Sequence, residues 1–222
     1  MNFLETFLKI ITNYWSVFLE GTIVTLGYAA VTVLFGLILG AAISLIRMKS
    51  SKVLQGILKA YVEIIRGTPL LLQLYFFYYA IPLTFGTNIP KVICIIIALV
   101  INSSAYIAEI IRSGIQAVDK GQFEASKSLG MSDSNMMMKI ILPQAVKNIL
   151  PALGNEFISV VKETSLAAVF FAGDLMTSFN IVKSNTFKSI EPLVVIGIIY
   201  FILNYVLSKG VNKLERRLAQ SD

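Results

Sequence analysis

The sequence predicts an all-α integral membrane fold with five transmembrane helices, and three observations carry that reading. Apolar residues fill 56% of the 222 positions and charged residues only 14%, against about 45–50% and about 25% in a soluble domain. The apolar residues gather into stretches long enough to cross a bilayer. Lys and Arg outnumber Asp and Glu by 19 to 13 and concentrate on one side of those stretches. This asymmetry explains the net charge of +6, so no nucleic-acid partner is required. Disorder is excluded, because such a chain has ample apolar surface to bury. With no His and a single Cys94, a Ser-His-Asp triad, a Cys-His dyad, a His/Cys metal site and an intrachain disulfide are all excluded. The chain also lacks G-x-x-x-x-G-K-[ST] and so is no P-loop ATPase by itself.

The chain reads as one transmembrane domain, 1–222, with spans at about 17–46, 54–80, 90–111, 149–171 and 192–208. Before the first span, Phe3, Leu4, Phe7, Leu8 and Ile11 recur at helical spacing. They predict a short helix lying along the outer interface, with Tyr14 and Trp15 at headgroup depth. The first span is of full length and lacks a basic leader, so it reads as a span and not as a cleaved signal. Its Gly36 and Gly40 form G-x-x-x-G, a pattern for close helix packing. The second span is interrupted by Glu63, Arg66 and Thr68-Pro69, and Glu63 and Arg66, at i and i+3, are expected to pair locally. The third is uncharged from Val92 to Ala108, whereas the fourth carries Glu156, Lys162 and Glu163.

Loops after the first, third and fifth spans hold 13 of the 19 cations, while the opposite side holds Lys9, Lys91, Lys183 and Lys188. The positive-inside rule then places the N-terminus outside and the C-terminus in the cytoplasm.

The longest inner loop, 113–148, contains good helix formers from Glu124 to Leu129. Glu124 is placed early, where the helix dipole favours an anion, and Gly130 suits the C′ stop. A second helical run is expected to end at Pro143. Phe123, Ala125 and Leu129 present apolar side chains to a partner's groove, or else pack beneath the bundle.

Here the residues carry a resemblance. Glu124-Ala125-Ser126, Gly130, Ile140 and Leu142-Pro143 fit E-A-A-x3-G-x9-I-x-L-P at every spacing, with Ser126 replacing the second Ala. This resembles the cytoplasmic signature of permease subunits of ABC-type importers. Arg66-Gly67-Thr68-Pro69-Leu70, Ala105 through Ile110, Gly121-Gln122 and Lys162 through Leu166 resemble the polar amino-acid subfamily. The resemblance implies a type I importer architecture in a bacterial inner membrane. It also implies a second permease subunit, homodimeric or a sister chain, and an extracytoplasmic amino-acid-binding protein. Glu124, Ala125, Ser126, Leu129 and Gly130 would couple the chain to a cytoplasmic ABC ATPase. That ATPase would hold the ATP and Mg, leaving no cofactor here.

Three polar residues reach one depth. Asn102 lies 12 residues into its span, and Thr68 and Glu163 lie 14 residues into theirs, which is roughly 18 Å and 21 Å of rise. Pro69 cannot donate to the carbonyl of Ile65, so the second span is breakable at that level. Asn102, Tyr106 and Glu109, at i, i+4 and i+7, form a stripe with Ser103 and Ser104 beside it. The stripe lines an exit path or supplies helix–helix hydrogen bonds, and for Asn102 the path is favoured. Lys162 needs a partner, with Glu109 or Glu156 as candidates. Glu163 has no cation on its own face and would receive a ligand cation. Glu163, Asn102, Thr68, Ser103, Ser104 and Tyr106 are thus the candidate substrate contacts.

These readings predict a non-enzymatic transport subunit that moves polar, especially basic, amino acids by alternating access. Glutamine or another polar amino acid is the alternative substrate. An ion-coupled secondary transporter and a membrane scaffold are the competing classes; the first lacks evident internal repeats, and the second leaves the mid-depth polar residues unexplained.

Overall fold

The computed structural model describes residues 2–86 and 89–219, and the described elements are helical. In chain order they are α1 (Phe3–Lys49), α2 (Lys52–Gly67), α3 (Leu70–Phe85), α4 (Lys91–Gln116), α5 (Lys120–Ser128), α6 (Asp133–Met136), α7 (Leu142–Glu163), α8 (Leu175–Thr186) and α9 (Ile190–Ala219). A π-helical turn, Met137–Ile141, joins α6 to α7, and a 3-10 segment, Thr164–Phe170, extends α7. Helices α1, α4 and α9 are each long and apolar enough to cross a membrane. Two bent pairs, α2 with α3 and the α6-to-3-10 run with α8, raise the number to five if each is one span.

Helix α1 corrects the first expectation, because the interfacial helix and first span are one 47-residue helix. At 1.5 Å per residue it is about 70 Å long, more than twice a hydrocarbon core of about 30 Å. No Gly or Pro lies between Asn13 and Glu20 to stop it. Its early turns have a packing partner instead of only lipid: Ile10 and Phe18 are buried with Leu175 and Val182 of α8 and Val195 and Ile196 of α9.

The centre is α4, which packs against α1, α2, α3 and α7. Its approach to α1 is close because Gly40 has no side chain. A Cβ there would sit 2.8 Å from the Ser104 carbonyl oxygen and 3.0 Å from the Ala108 nitrogen. One turn on, Ser44 Oγ donates to the Ala108 carbonyl at 2.8 Å. The G-x-x-x-G pattern thus brings two backbones together, and polar atoms add a cross-helix bond.

The second span does break at Thr68-Pro69, where α2 and α3 meet at a bend of 109°. The fourth segment differs from expectation in both directions. Its helix does not stop at Pro143, which occupies the first turn of α7, where a missing N–H costs nothing. The preceding π turn shifts the hydrogen-bond register to allow this. At the other end Phe171 (φ 52°) and Gly173 (φ 84°) turn the chain into α8, an element the sequence did not announce.

Candidate substrate path and coupling helix

The break between α2 and α3 is bridged by a side chain. Gln73, only 6% exposed, donates through Nε2 to the Ile65 carbonyl at 2.7 Å, the acceptor that Pro69 leaves free. The same amide reaches Thr68 Oγ1 at 2.9 Å and the Thr68 carbonyl at 3.2 Å. Its Oε1 accepts from Asn102 Nδ2 of α4 at 3.0 Å. The bent backbone is therefore held open, with its freed acceptor satisfied and tied to the central helix. Gln73 was missed in the sequence; the signal available was a lone amide inside the apolar run Leu70 to Tyr75.

The structure divides the predicted contacts into two groups. Asn102, Ser103 and Ser104 are buried, and their polar atoms are engaged. Ser103 Oγ donates to Glu156 Oε1 at 2.7 Å, and Ser104 Oγ meets both the Ile101 carbonyl and the Tyr61 hydroxyl at 2.8 Å. Thr68, Tyr106 and Glu163 remain half-buried. Among the described residues Glu163 has no hydrogen-bonding or ion-pairing partner, and Glu156 lies seven residues before it on the same face of α7. Lys162 is exposed and pairs with neither expected carboxylate. Glu156, read in the sequence only as a partner for Lys162, is instead the acceptor for Ser103.

Further along α4 the expected Glu63–Arg66 pair is not formed. Arg66 lies 5.3 Å over the Tyr106 ring and 3.9 Å from Glu109 Oε1, while Glu63 takes Lys59 at 3.6 Å. Glu109 also accepts a two-pronged contact from Arg112, with Nε to Oε2 at 2.9 Å. Tyr106 offers Arg66 an aromatic face that a local helix pair cannot, which favours the reach to α4. The stripe thus ends in a cation–π and ion-pair cluster.

The loop helix α5 starts earlier than expected. Asp119 is its N-cap, accepting from Gly121 N–H at 2.8 Å, so Asp119 and not Glu124 meets the N-terminal dipole. Its other end is a complete Schellman stop: Gly130 N–H donates to the Lys127 carbonyl at 2.9 Å and Met131 N–H to the Ser126 carbonyl at 3.1 Å. Gly130 has φ 72°, a conformation that strains any residue with a Cβ. Around the helix, Phe123 packs inward with Val118 and Met136, and Ser126 is buried with its hydroxyl on the Gln122 carbonyl at 2.6 Å. Glu124 and Ala125 face outward with Leu129, which is 81% exposed. The outward apolar knob is therefore Ala125 and Leu129, without Phe123.

A multi-helix membrane bundle with a locally broken span and an outward-facing loop helix defines a class: the membrane-crossing subunit of a transporter. Residues 12–220 match the binding-protein-dependent transport system inner membrane component family, and the chain belongs to that family. It is 40% identical to an arginine transport system permease protein of Bacillus subtilis, with 92% of this chain and 93% of the relative aligned. It is also 40% identical to a putative glutamine transport system permease protein of Rickettsia bellii, over 91% and 93% of the two chains. Among solved structures, an amino acid ABC transporter crystallised with histidines superposes with a TM-score of 0.91 at 44% identity, covering 98% of this chain and 99% of that one. The protein is a permease subunit of an amino-acid ABC importer, with the type I importer fold.

Proposed function

We propose that this subunit carries basic amino acids inward by alternating access. The observation that supports this substrate class is Glu163, a half-buried carboxylate of α7 that makes no hydrogen bond and no ion pair within 4 Å among the described residues. A charge inside a membrane span is costly unless something compensates it, and an α-ammonium or guanidinium group would do so. Thr68 and Tyr106 would contact the substrate beside Glu163. Asn102 would act through Gln73 by holding the break, and Ser103 and Ser104 would position Glu156 and Tyr61. Relatives named for arginine, and a similar structure obtained with histidines, support the basic class. The relatives named for glutamine support a second reading, a neutral polar amino acid.

A second permease subunit would complete the pore, and a binding protein would deliver substrate from the side where Lys91 begins α4. On the cationic side, Glu124, Ala125, Leu129 and Gly130 would seat α5 in a cytoplasmic ATPase that holds ATP and Mg, while the buried Ser126 would hold α5 in place behind them. ATP binding would draw the two α5 helices together and turn the bundle outward, and hydrolysis would return it. The test is uptake of labelled amino acids into proteoliposomes containing the whole complex. Uptake should cease with an inactive ATPase and survive an uncoupler; the reverse pattern would make this an ion-coupled carrier. Cysteine at Ser128, in a Cys94→Ala background, should label only from the cytoplasmic side, and labelling from outside would overturn the orientation.

A further inference from the structure

The end of α4 remote from Lys91 holds a feature that neither substrate passage nor ATPase docking uses. Beside it, α1 and α2 leave a cleft of about 430 Å³. Arg47 of α1, Lys52 and Lys59 of α2 and Arg112 of α4 line it together with Gln55 and Gln116, and no carboxylate is among its walls. Two carboxylates stand nearby. Glu63 pairs with Lys59 in a solvent-exposed contact, and Glu109 is shared by Arg112 and Arg66. Four cations line the cleft and two of them are paired with these acids, an excess of two positive charges in one small volume. Like charges converging in a cleft repel, and an anion seated among them removes that cost.

The rim says which anion. Met48 and Ile115 line the cleft, and on α1 and α2 Leu45, Val53 and Ile57, each next in sequence to a lining residue, are 56%, 74% and 60% exposed. A cationic cup with an apolar margin fits a headgroup phosphate with acyl chains lying beside it. A free phosphate would gain nothing from the margin. The first turn of α2, at Lys52, adds the positive end of a helix dipole at the same place. None of α5, α6 or α7 contributes to the cleft, so docking through α5 leaves it open.

We propose that this cleft binds the phosphate of an anionic phospholipid, with Arg47 and Lys52, which make no ion pair within 4 Å, as its main cations. The inference takes from the proposed orientation only that the cleft faces the cytoplasmic leaflet, where juxtamembrane cations gain about 1 kcal/mol each near an anionic surface. The test uses the permease–ATPase complex in neutral detergent, titrated with phosphatidylglycerol, phosphatidylcholine or inorganic phosphate and read by native mass spectrometry. Phosphatidylglycerol should bind at least about 10-fold more tightly than phosphatidylcholine. Arg47→Gln with Lys52→Gln should weaken it about 30-fold, and each single change about 5-fold. Lys183→Gln with Lys188→Gln, which removes the same charge from the opposite side, should leave it unchanged. Equal binding of the two lipids, or an unaltered affinity in the folded single variants, would overturn the proposal. So would displacement of the lipid by an equal concentration of inorganic phosphate, which would mark a free-anion site. Binding in detergent does not depend on membrane orientation or on transport, so its failure would leave the importer reading standing.

Discussion

Among the described residues two candidate spans are bent, by 109° between α2 and α3 and by 43° before α8, and the two bends are built differently. At the first, Pro69 removes a donor and a side-chain amide from another turn replaces it. At the second no Pro is involved. Two left-handed residues, Phe171 and Gly173, redirect the chain, and Asp174 caps the next helix, accepting from Met176 N–H at 2.9 Å and Thr177 Oγ1 at 2.5 Å. Helix α1 locks this second turn: Tyr28 donates to the Ala172 carbonyl at 2.6 Å, and Thr25 Oγ1 accepts from Leu175 N–H at 3.0 Å. Asp174 and Thr25 are fully buried, whereas Thr68 at the first bend is partly open. A break left partly open is equipped to meet a ligand. A break sealed by caps and cross-helix bonds is equipped to keep its shape.

The sharpest way to break this contrast is Gln73→Leu. It leaves the Asn102 amide without its partner and the Ile65 carbonyl with only the long 3.4 Å contact from the Thr68 hydroxyl, and each buried polar group left unpaired costs about 1–3 kcal/mol. The thermal transition of the purified complex should fall steeply and transport should be lost; a wild-type melting profile would show that the bend does not depend on this amide. Asp174→Ala removes a buried cap worth about 1–2 kcal/mol. It should lower the amount of folded complex without altering turnover per folded complex or the preference among amino acids. A changed preference would place the second bend in the substrate path. Thr68→Val is the mildest, removing a partly exposed hydroxyl whose bonds to the Ile64 carbonyl and the Gln73 amide, both 2.9 Å, are worth about 0.5–1.5 kcal/mol each at most. It should leave stability near wild type yet raise the substrate concentration needed for half-maximal uptake. Uptake unaltered at every concentration would make Thr68 a helix cap alone.

The first bend was legible in the sequence because proline acts locally: a missing N–H at Pro69 names the carbonyl of Ile65 as free before any fold is known. Gly130 was legible for the same reason, since a helix stop asks for a left-handed residue. The partner that fills the vacancy was not legible. Gln73 reaches back eight residues across a bend and sideways to Asn102, and neither reach has a sequence period. Arg66 misled in the same way: Glu63 offered a partner at i−3, but Tyr106 and Glu109 on another helix offered a ring face and a carboxylate together. Helix α8 was hidden because its polar residues, among them Asn180, Lys183 and Ser184, broke the apolar run used to count spans. It forms because Leu175 and Val182 bury against α1 and α9, a gain that is tertiary and not local.

The measurement that bears most directly on the central claim is uptake by Glu163→Gln, made with the binding protein saturated so that its own selectivity drops out. The substitution keeps the side chain's shape and removes its charge. A charge-assisted hydrogen bond is worth roughly 1.5–3 kcal/mol, so arginine and lysine uptake should weaken by about 10- to 150-fold, with glutamine affected far less. Arginine uptake unchanged while the ATPase rate stays normal would make Glu163 a structural residue and place the substrate elsewhere.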